Sequence, residues 1–125
     1  MDCTKDRYSK SIRNVNLLKI ALVNPNTSVS ITSEMVRIAE ASLDKRAKVF
    51  GFTAQRGAKF ISEPKSLFLA SRAVEELAPL LSKMDAIVVA AFGDPGLYEL
   101  RRALPMPVTG IAEASMYEAG KRGRA

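Results

Sequence analysis

The sequence predicts an α/β fold: a doubly wound, mostly parallel four-stranded sheet with helices on both faces. Two observations predict it. Short apolar runs alternate along the chain with longer segments in which apolar residues recur every three or four positions. One of the short runs, 86–91, is continuously apolar, as expected of a central parallel strand covered by helices on both sides. Strands alternating with helices favour right-handed crossovers.

The first strand is predicted over 17–23, where an apolar run ends at the turn signal 24–25. A helix follows over 31–43, because its apolar residues share one face while charged residues occupy the other. The amides of the first helical turn need acceptors, and the side-chain oxygen of Thr27 or Ser28 can supply one.

The rest of the chain continues the alternation. The remaining elements are predicted at 48–54 (strand), 64–83 (helix), 86–91 (strand), 95–103 (helix) and 107–111 (strand). Pro64 suits the first turn of its helix, whereas Pro79 should kink or shorten it. No repeat of short period and no low-complexity segment interrupts this order.

A chain of 125 residues fits one small domain, which we place at 17–118 between a polar leader, 1–16, and a basic tail, 119–125. The net charge of +6 comes from these ends, because residues 20–120 hold eleven basic and eleven acidic side chains. Basic ends are more often solvated tails than nucleic-acid arms, and no aromatic residue is interleaved with the C-terminal charges for base stacking. Salt-sensitive nucleic-acid binding through the ends is the weakest of the functional alternatives.

Composition excludes several other classes. No apolar run approaches the ~20 residues that span a bilayer, and the charged N-terminus does not resemble a secretory signal, so we expect a cytoplasmic protein with no membrane partner. Cys3 is the single cysteine and histidine is absent. These counts argue against a disulfide framework, a metal site and a Ser-His or Cys-His nucleophile pair.

Two polar loops follow apolar strands, at 24–28 and 92–97, and therefore lie where ligands bind in sheets of this class. A loop that enters a helix N-terminus suits a carboxylate, and Asn24, Asn26 and Thr27 add neutral donors and acceptors. The structural alternative, a turn and a helix cap, is equally compatible with the asparagines. For Asp94, followed by proline, a cap at the start of the next helix is the favoured interpretation.

Several segments together resemble the Asp/Glu/hydantoin racemase family, most closely its hydantoin-racemase-like branch. The matching segments are 23–28 and 56–61 (first and second substrate loops), 85–97 (nucleophile strand and loop) and 110–115 (after the fourth strand). The resemblance extends from the first strand to the end of the chain. It implies an isomerase that inverts a carbon next to a carboxylate or carbonyl without a cofactor.

The resemblance also assigns residues to roles. The substrate-binding positions it implies are Asn24, Asn26, Thr27, Phe92, Gly93, Asp94 and Glu113. Ala91 occupies the position of the family's first catalytic cysteine, and the family's second half, which supplies the opposing cysteine, has no counterpart here. Inversion needs a base on one face of the carbon and an acid on the other, and an alanine provides neither. The sequence thus predicts a truncated, catalytically impaired member that binds a small carboxylate or hydantoin-like ligand.

The non-enzymatic alternative is a small-carboxylate-binding or regulatory module that uses the same pocket. Because later segments complete the first domain in the family, a stand-alone sheet would expose an edge, so we expect a homo-oligomer. A phospho-acceptor domain with Asp94 as acceptor is disfavoured, since Asn24 and Asn26 replace the carboxylates that would hold Mg²⁺.

Overall fold

Strands and helices alternate along the chain in a computed structural model that describes residues 17–57 and 63–123. The strands are β1 (Leu18–Asn24), β2 (Ala47–Thr53), β3 (Ala86–Val89) and β4 (Val108–Gly110). The α-helices are α1 (Val29–Leu43), α2 (Pro64–Glu75), α3 (Leu97–Ala103) and α4 (Ile111–Arg122), and a 3₁₀ helix spans Ala78–Leu81. The four predicted strands and the three predicted helices are all present. Most boundaries shift by a few residues, but the helix predicted at 64–83 ends at Glu75 and is followed by the 3₁₀ helix.

The four strands form one parallel sheet in the order β2-β1-β3-β4. The chain therefore builds outward from β1 in both directions, which is the doubly wound arrangement that the sequence predicts. Val23 of β1 lies opposite Val89 of β3, and Val89 lies opposite Gly110 of β4. The carboxyl ends of the three strands consequently meet at one edge of the sheet.

Helices cover both faces, as predicted. The larger core lies between the sheet and the side that carries α2, the 3₁₀ helix and α3, and includes Val23, Val74, Leu81, Ile87 and Leu100. The smaller core lies on the α1 side, where Leu22, Val49 and Ala90 are buried against partly buried side chains of that helix. Because apolar burial is the main stabilising term, the first face carries more of the stability than the second.

Several helix boundaries follow the expected rules. Ser28 caps α1, since the Ile31 N–H donates to its Oγ at 3.3 Å, and Pro64 is in the first turn of α2. Helix α2 ends at Glu75, and Pro79 lies in the 3₁₀ helix, so the predicted interruption is confirmed. Within the described residues, no helix combines the length and apolar character needed to cross a bilayer.

Two features at the C-terminal end differ from the prediction. Helix α3 begins at Leu97 rather than at Pro95, because Gly96 adopts a left-handed conformation (φ 83°) that a helix cannot include. Helix α4 was not predicted, and it extends into the segment 119–125 that the sequence suggested as a tail. The leader 1–16 with Cys3, residues 58–62, which include the last four residues of the second motif, and residues 124–125 lie outside the described residues.

Candidate functional site

The two predicted loops emerge from neighbouring strands at the same edge of the sheet. The Ala90 N–H donates to the Val23 carbonyl at 2.8 Å, which extends the pairing of β1 and β3 to the start of both loops. Asn24 follows Val23 directly, and the half-buried Ala91 follows Ala90. Parallel pairing therefore brings the loop 24–28 alongside the loop 91–96, as the sequence predicts.

The first loop is organised around the Asn24 side chain, which is 1% exposed. Its Nδ2 lies 2.9 Å from Asn26 Oδ1, 3.1 Å from the Ser28 carbonyl and 3.0 Å from Thr32 Oγ1. Its Oδ1 accepts a hydrogen bond from the Asn26 N–H at 3.0 Å. A buried amide needs such partners, and these ones fix the path of the loop into α1. The Asn24 side chain therefore stabilises the conformation of its own loop.

Two threonines that the sequence reasoning missed extend this network. Thr32, on the first turn of α1, is buried at 4% exposure, and its Oγ1 lies 2.7 Å from Thr53 Oγ1 at the end of β2. Gly51 makes room for it, since a Cβ there would come within 2.7 Å of the Thr32 methyl group. The signal in the sequence was a polar residue on the inward side of an amphipathic helix, directly after an asparagine-rich loop.

Part of the hydrogen-bonding capacity of the first loop stays available. Asn26 Oδ1 accepts from Asn24 Nδ2 and from the Ser28 N–H at 2.9 Å. The Asn26 Nδ2 amide and the Thr27 hydroxyl, by contrast, have no hydrogen-bond partner in the part of the chain that the structure describes. Both residues are half-buried. They are the two side-chain groups of this loop that can still donate to a ligand.

The second loop has an unusual backbone. Gly93, Asp94 and Gly96 all have positive φ angles, of 92°, 48° and 83°. The Asp94 N–H donates to the Ala91 carbonyl at 3.0 Å, whereas the N–H groups of Phe92 and Gly93 have no acceptor among residues 17–57 and 63–123. Phe92 itself is 62% exposed. Two adjacent free amides next to Ala91 can bind a carbonyl or carboxylate oxygen.

The Asp94 carboxylate holds this loop in place, in a role that the sequence reasoning misassigned. It was expected to cap the helix that follows Pro95. Instead, its Oδ1 accepts from the Ala112 N–H at 2.9 Å and its Oδ2 from the Glu113 N–H at 2.8 Å, so it caps α4. A carboxylate at a helix N-terminus satisfies unpaired amides and the positive end of the helix dipole. Gly110 is required here, because a Cβ at that position would overlap the Asp94 carboxyl group.

Glu113 is engaged with Arg101 of α3. Arg101 Nη1 donates to Glu113 Oε2 at 2.9 Å, its Nη2 donates to Oε1, and its Nε donates to the Val108 carbonyl at 2.9 Å. Thr109 Oγ1 also donates to Glu113 Oε1, at 3.1 Å. These bonds, above all those from Arg101, lower the pKa of Glu113 and keep it ionised. Glu113 therefore joins α3 to the start of α4, close to the Asp94 cap.

The described residues of the two loops offer hydrogen-bond donors for oxygen atoms, and the side chain at the Ala91 position is a methyl group. The chain has no histidine, and its single cysteine, Cys3, lies outside the described residues. Over 17–57 and 63–123, the Asp and Glu side chains form no cluster of three or more that could hold a metal ion.

Comparison with known proteins places these features in one family. A family model described as Asp/Glu/Hydantoin racemase matches residues 20–125. The chain is 32% identical over 102 residues to a hydantoin racemase of Pseudomonas sp. (strain NS671), a match that covers 80% of this chain and 41% of the relative. A hydantoin racemase of Paenarthrobacter aurescens is 30% identical over 103 residues, covering 80% and 44%.

Solved structures agree with the sequence relatives. The fold matches an allantoin racemase from Klebsiella pneumoniae with a TM-score of 0.78 and 31% identity, over 83% of this chain and 43% of the other. An allantoin racemase from Pseudomonas fluorescens matches with the same TM-score and 30% identity, over 83% and 45%. The chain spans less than half the length of the relatives that it matches.

Proposed function

We propose that this chain, which belongs to the Asp/Glu/hydantoin racemase family, keeps part of a substrate pocket for a small carboxylate or hydantoin-like ligand but does not invert a stereocentre by itself. One observation carries the proposal. Ala91 presents a methyl group at the end of β3, beside two free loop amides and next to the first loop, where a nucleophile would have to stand.

The physical reason concerns proton transfer. Inverting a carbon next to a carbonyl requires that a base remove the α-proton and that an acid return a proton to the opposite face. A thiol can do either, because loop amides and a helix terminus can lower its pKa into the working range. A methyl group has no lone pair and no exchangeable proton. The loop geometry can then orient a substrate without reacting with it.

The remaining donors support the choice of ligand. Asn26 Nδ2, the Thr27 hydroxyl and the N–H groups of Phe92 and Gly93 are neutral donors on two adjacent loops. Such a set suits the oxygen atoms of a carboxylate, a hydantoin ring or a ureide such as allantoin. The relatives named hydantoin racemase and allantoin racemase point to the same chemical class. Asn24, Asp94 and Glu113 would act by holding the loops.

Proton exchange tests the catalytic part of the proposal. The purified chain is incubated in D₂O with L-Asp, L-Glu, a 5-substituted hydantoin and allantoin, and loss of the α-proton signal is followed by NMR. We expect no exchange above the rate without protein. Measurable exchange by the wild-type chain would refute the claim of inactivity. Ala91→Cys serves as a companion, to show whether a single thiol at this position is sufficient for exchange.

Binding is tested separately, by titration calorimetry and thermal shift with the same ligands, because a ligand that binds only the native state raises its stability. The informative variant is Asn26→Asp, which keeps the Oδ1 acceptor for Ser28 but replaces the free amide by a carboxylate. We expect roughly tenfold weaker binding of an anionic ligand. Ser82→Asp adds the same charge at an exposed position before β3 and should leave affinity unchanged. Equal affinities for both variants would contradict the site.

A non-enzymatic sensing or regulatory module is the second candidate function, favoured by the survival of donors where the nucleophile is missing. Stabilisation by a ligand without any proton exchange would support it, and a flat thermal-shift screen would count against it. The proposal further includes a single domain, a cytoplasmic location, no cofactor and assembly into a homo-oligomer. Sedimentation as a monomer at micromolar concentration would contradict the assembly.

A further inference from the structure

A pocket of about 320 Å³ opens between α3 and α4, directly beside the second loop. Leu97 of α3 lines it as a buried side chain, whereas Tyr98 of α3 and Met116 of α4 line it while remaining largely exposed. Gly93 of the loop also borders the pocket, and the Gly93 N–H has no acceptor in the described part of the chain. The pocket is therefore continuous with the loop amides that can bind a ligand oxygen.

Two carboxylates border this pocket, and both are held by other groups. Asp94 accepts hydrogen bonds from two N–H groups of α4, and Glu113 accepts them from Arg101 and Thr109. Arg101 already donates to Glu113 with both of its Nη atoms. An anionic group placed in the pocket would meet like charges at its border, and such a juxtaposition is unfavourable. A neutral apolar group would instead contact the apolar side chains of the lining.

We propose that this pocket receives the substituent that a hydantoin-type ring carries at its stereogenic carbon, and that Tyr98 and Met116 select neutral apolar substituents over anionic ones. The inference rests on the proposed function, in which oxygen atoms of the ring bind the loop amides. The aromatic ring of Tyr98 offers a flat apolar face, and the flexible thioether of Met116 adapts to groups of different shape. The pocket is at the small end of the range for whole ligands, which suits a single substituent.

Titration calorimetry of the wild-type chain with four related rings tests this selectivity. The ligands are hydantoin, 5-benzylhydantoin, allantoin with its polar ureide, and hydantoin-5-acetic acid with its carboxylate. We expect 5-benzylhydantoin to bind most tightly and hydantoin-5-acetic acid about tenfold more weakly, with allantoin between them. If none of the four binds, the proposed function fails and this inference fails with it. If hydantoin binds but the benzyl compound binds no better than the acid, the inference alone is wrong.

A charge substitution locates the selectivity in the pocket. Met116→Lys keeps a long side chain but adds a positive charge, so the ratio of the affinities for 5-benzylhydantoin and hydantoin-5-acetic acid should fall about tenfold. Tyr117→Lys is the matched control, since Tyr117 is similarly exposed on the same helix (69% against 65%) but does not line the pocket. This variant should leave the ratio unchanged. Circular dichroism confirms that both variants are folded, and equal changes in the two ratios would overturn the proposal.

NMR of the methionine methyl groups tests the position of the substituent directly. The Met116 signal is assigned by its absence in Met116→Lys, and the aromatic ring of 5-benzylhydantoin should shift it, whereas 5-methylhydantoin should not. Met35 is an internal control, because it lines a separate apolar pocket of about 400 Å³ on the α1 side of the sheet. Its signal is assigned by its absence in Met35→Leu. A ligand-induced shift of the Met35 signal without one of the Met116 signal would place the benzyl group in that other pocket and contradict the proposal.

Discussion

The loop after β1 and the loop after β3 lie side by side, yet they are held in different ways. The first is held by neutral side chains close in sequence, since Asn24 bonds Asn26, Ser28 and Thr32, and Thr53 of β2 closes the network. The second is held by one carboxylate that reaches 18 residues along the chain to α4. The first loop thus carries its own support, whereas the second depends on an element beyond it.

The two loops therefore differ in how strongly their contacts stabilise them. The network of the first loop is centred on two buried side chains, Asn24 and Thr32, and at such positions an unpaired polar group is expensive and a satisfied one confers rigidity. The contacts of the second loop and its neighbours are charged and partly exposed, so that water competes for them and the energies are smaller. Ala91 begins the second loop directly after Ala90, which is still paired with β1, whereas the loop residues that follow depend on the Asp94 contacts with α4.

The largest effect is expected for Asn24→Ala. The substitution removes the partner of the buried Thr32 Oγ1 and of the half-buried Asn26 N–H, and it leaves a cavity at a position that is 1% exposed. We expect a loss of about 2–3 kcal/mol in the free energy of unfolding, measured by urea denaturation. The control is Ser30→Ala, at an exposed position whose hydroxyl contacts Ser28 Oγ, and it should change stability by less than about 0.5 kcal/mol. Similar losses for the two variants would mean that the network is not what holds the first loop.

An intermediate effect is expected for Asp94→Asn, which preserves tolerance of the positive φ angle but turns an NH₂ group toward one of the two α4 amides. We expect a loss of about 1–2 kcal/mol. Hydrogen exchange should accelerate at the N-terminal amides of α4 and remain unchanged in α1. Equal acceleration in α1 and α4 would show that the two loops are not independently supported.

In the same helix, a Cβ at Gly120 would meet open space, so Gly120→Ala should raise stability by up to about 1 kcal/mol.

The difference between local contacts and contacts between distant segments also explains which elements could be predicted from the sequence. The parallel sheet and the cap of α1, which was expected at Thr27 or Ser28 and is found at Ser28, follow from signals within a few residues of each other, and they were predicted correctly. Helix α4 was missed because it has no buried stripe to create an apolar periodicity, and because Gly110 at its N-cap has no side chain. Asp94 caps this helix, but the proline that follows Asp94 predicted that it would cap the helix after Pro95. Local patterns cannot reveal a cap supplied from another loop.

The smallest effect is expected for the ion pair between Arg101 and Glu113, whose contribution to stability depends on pH. Arg101 lowers the pKa of Glu113 below its ordinary value of about 4.3, so the folded state holds this proton less tightly than the unfolded state. Stability from the pair is then complete above the ordinary pKa and is lost as the pH falls through the folded-state pKa. The difference in urea midpoint between the wild-type chain and Glu113→Gln should therefore be present at neutral pH and shrink in acid.

Acid should affect the Glu113 ion pair but not the Asn24 network. Arg37 and Arg56 lower the pKa of Glu34 and Glu76 in the same way, so the wild-type chain loses stability in acid through these groups as well. Those contributions are common to both proteins and cancel when Glu113→Gln is compared with the wild-type chain. The Asn24 network has no titratable member, so the cost of Asn24→Ala should not vary between neutral pH and the acid range in which Glu113 loses its effect. A cost that falls together with the Glu113 effect would show that the neutral and the charged supports are coupled across the two loops.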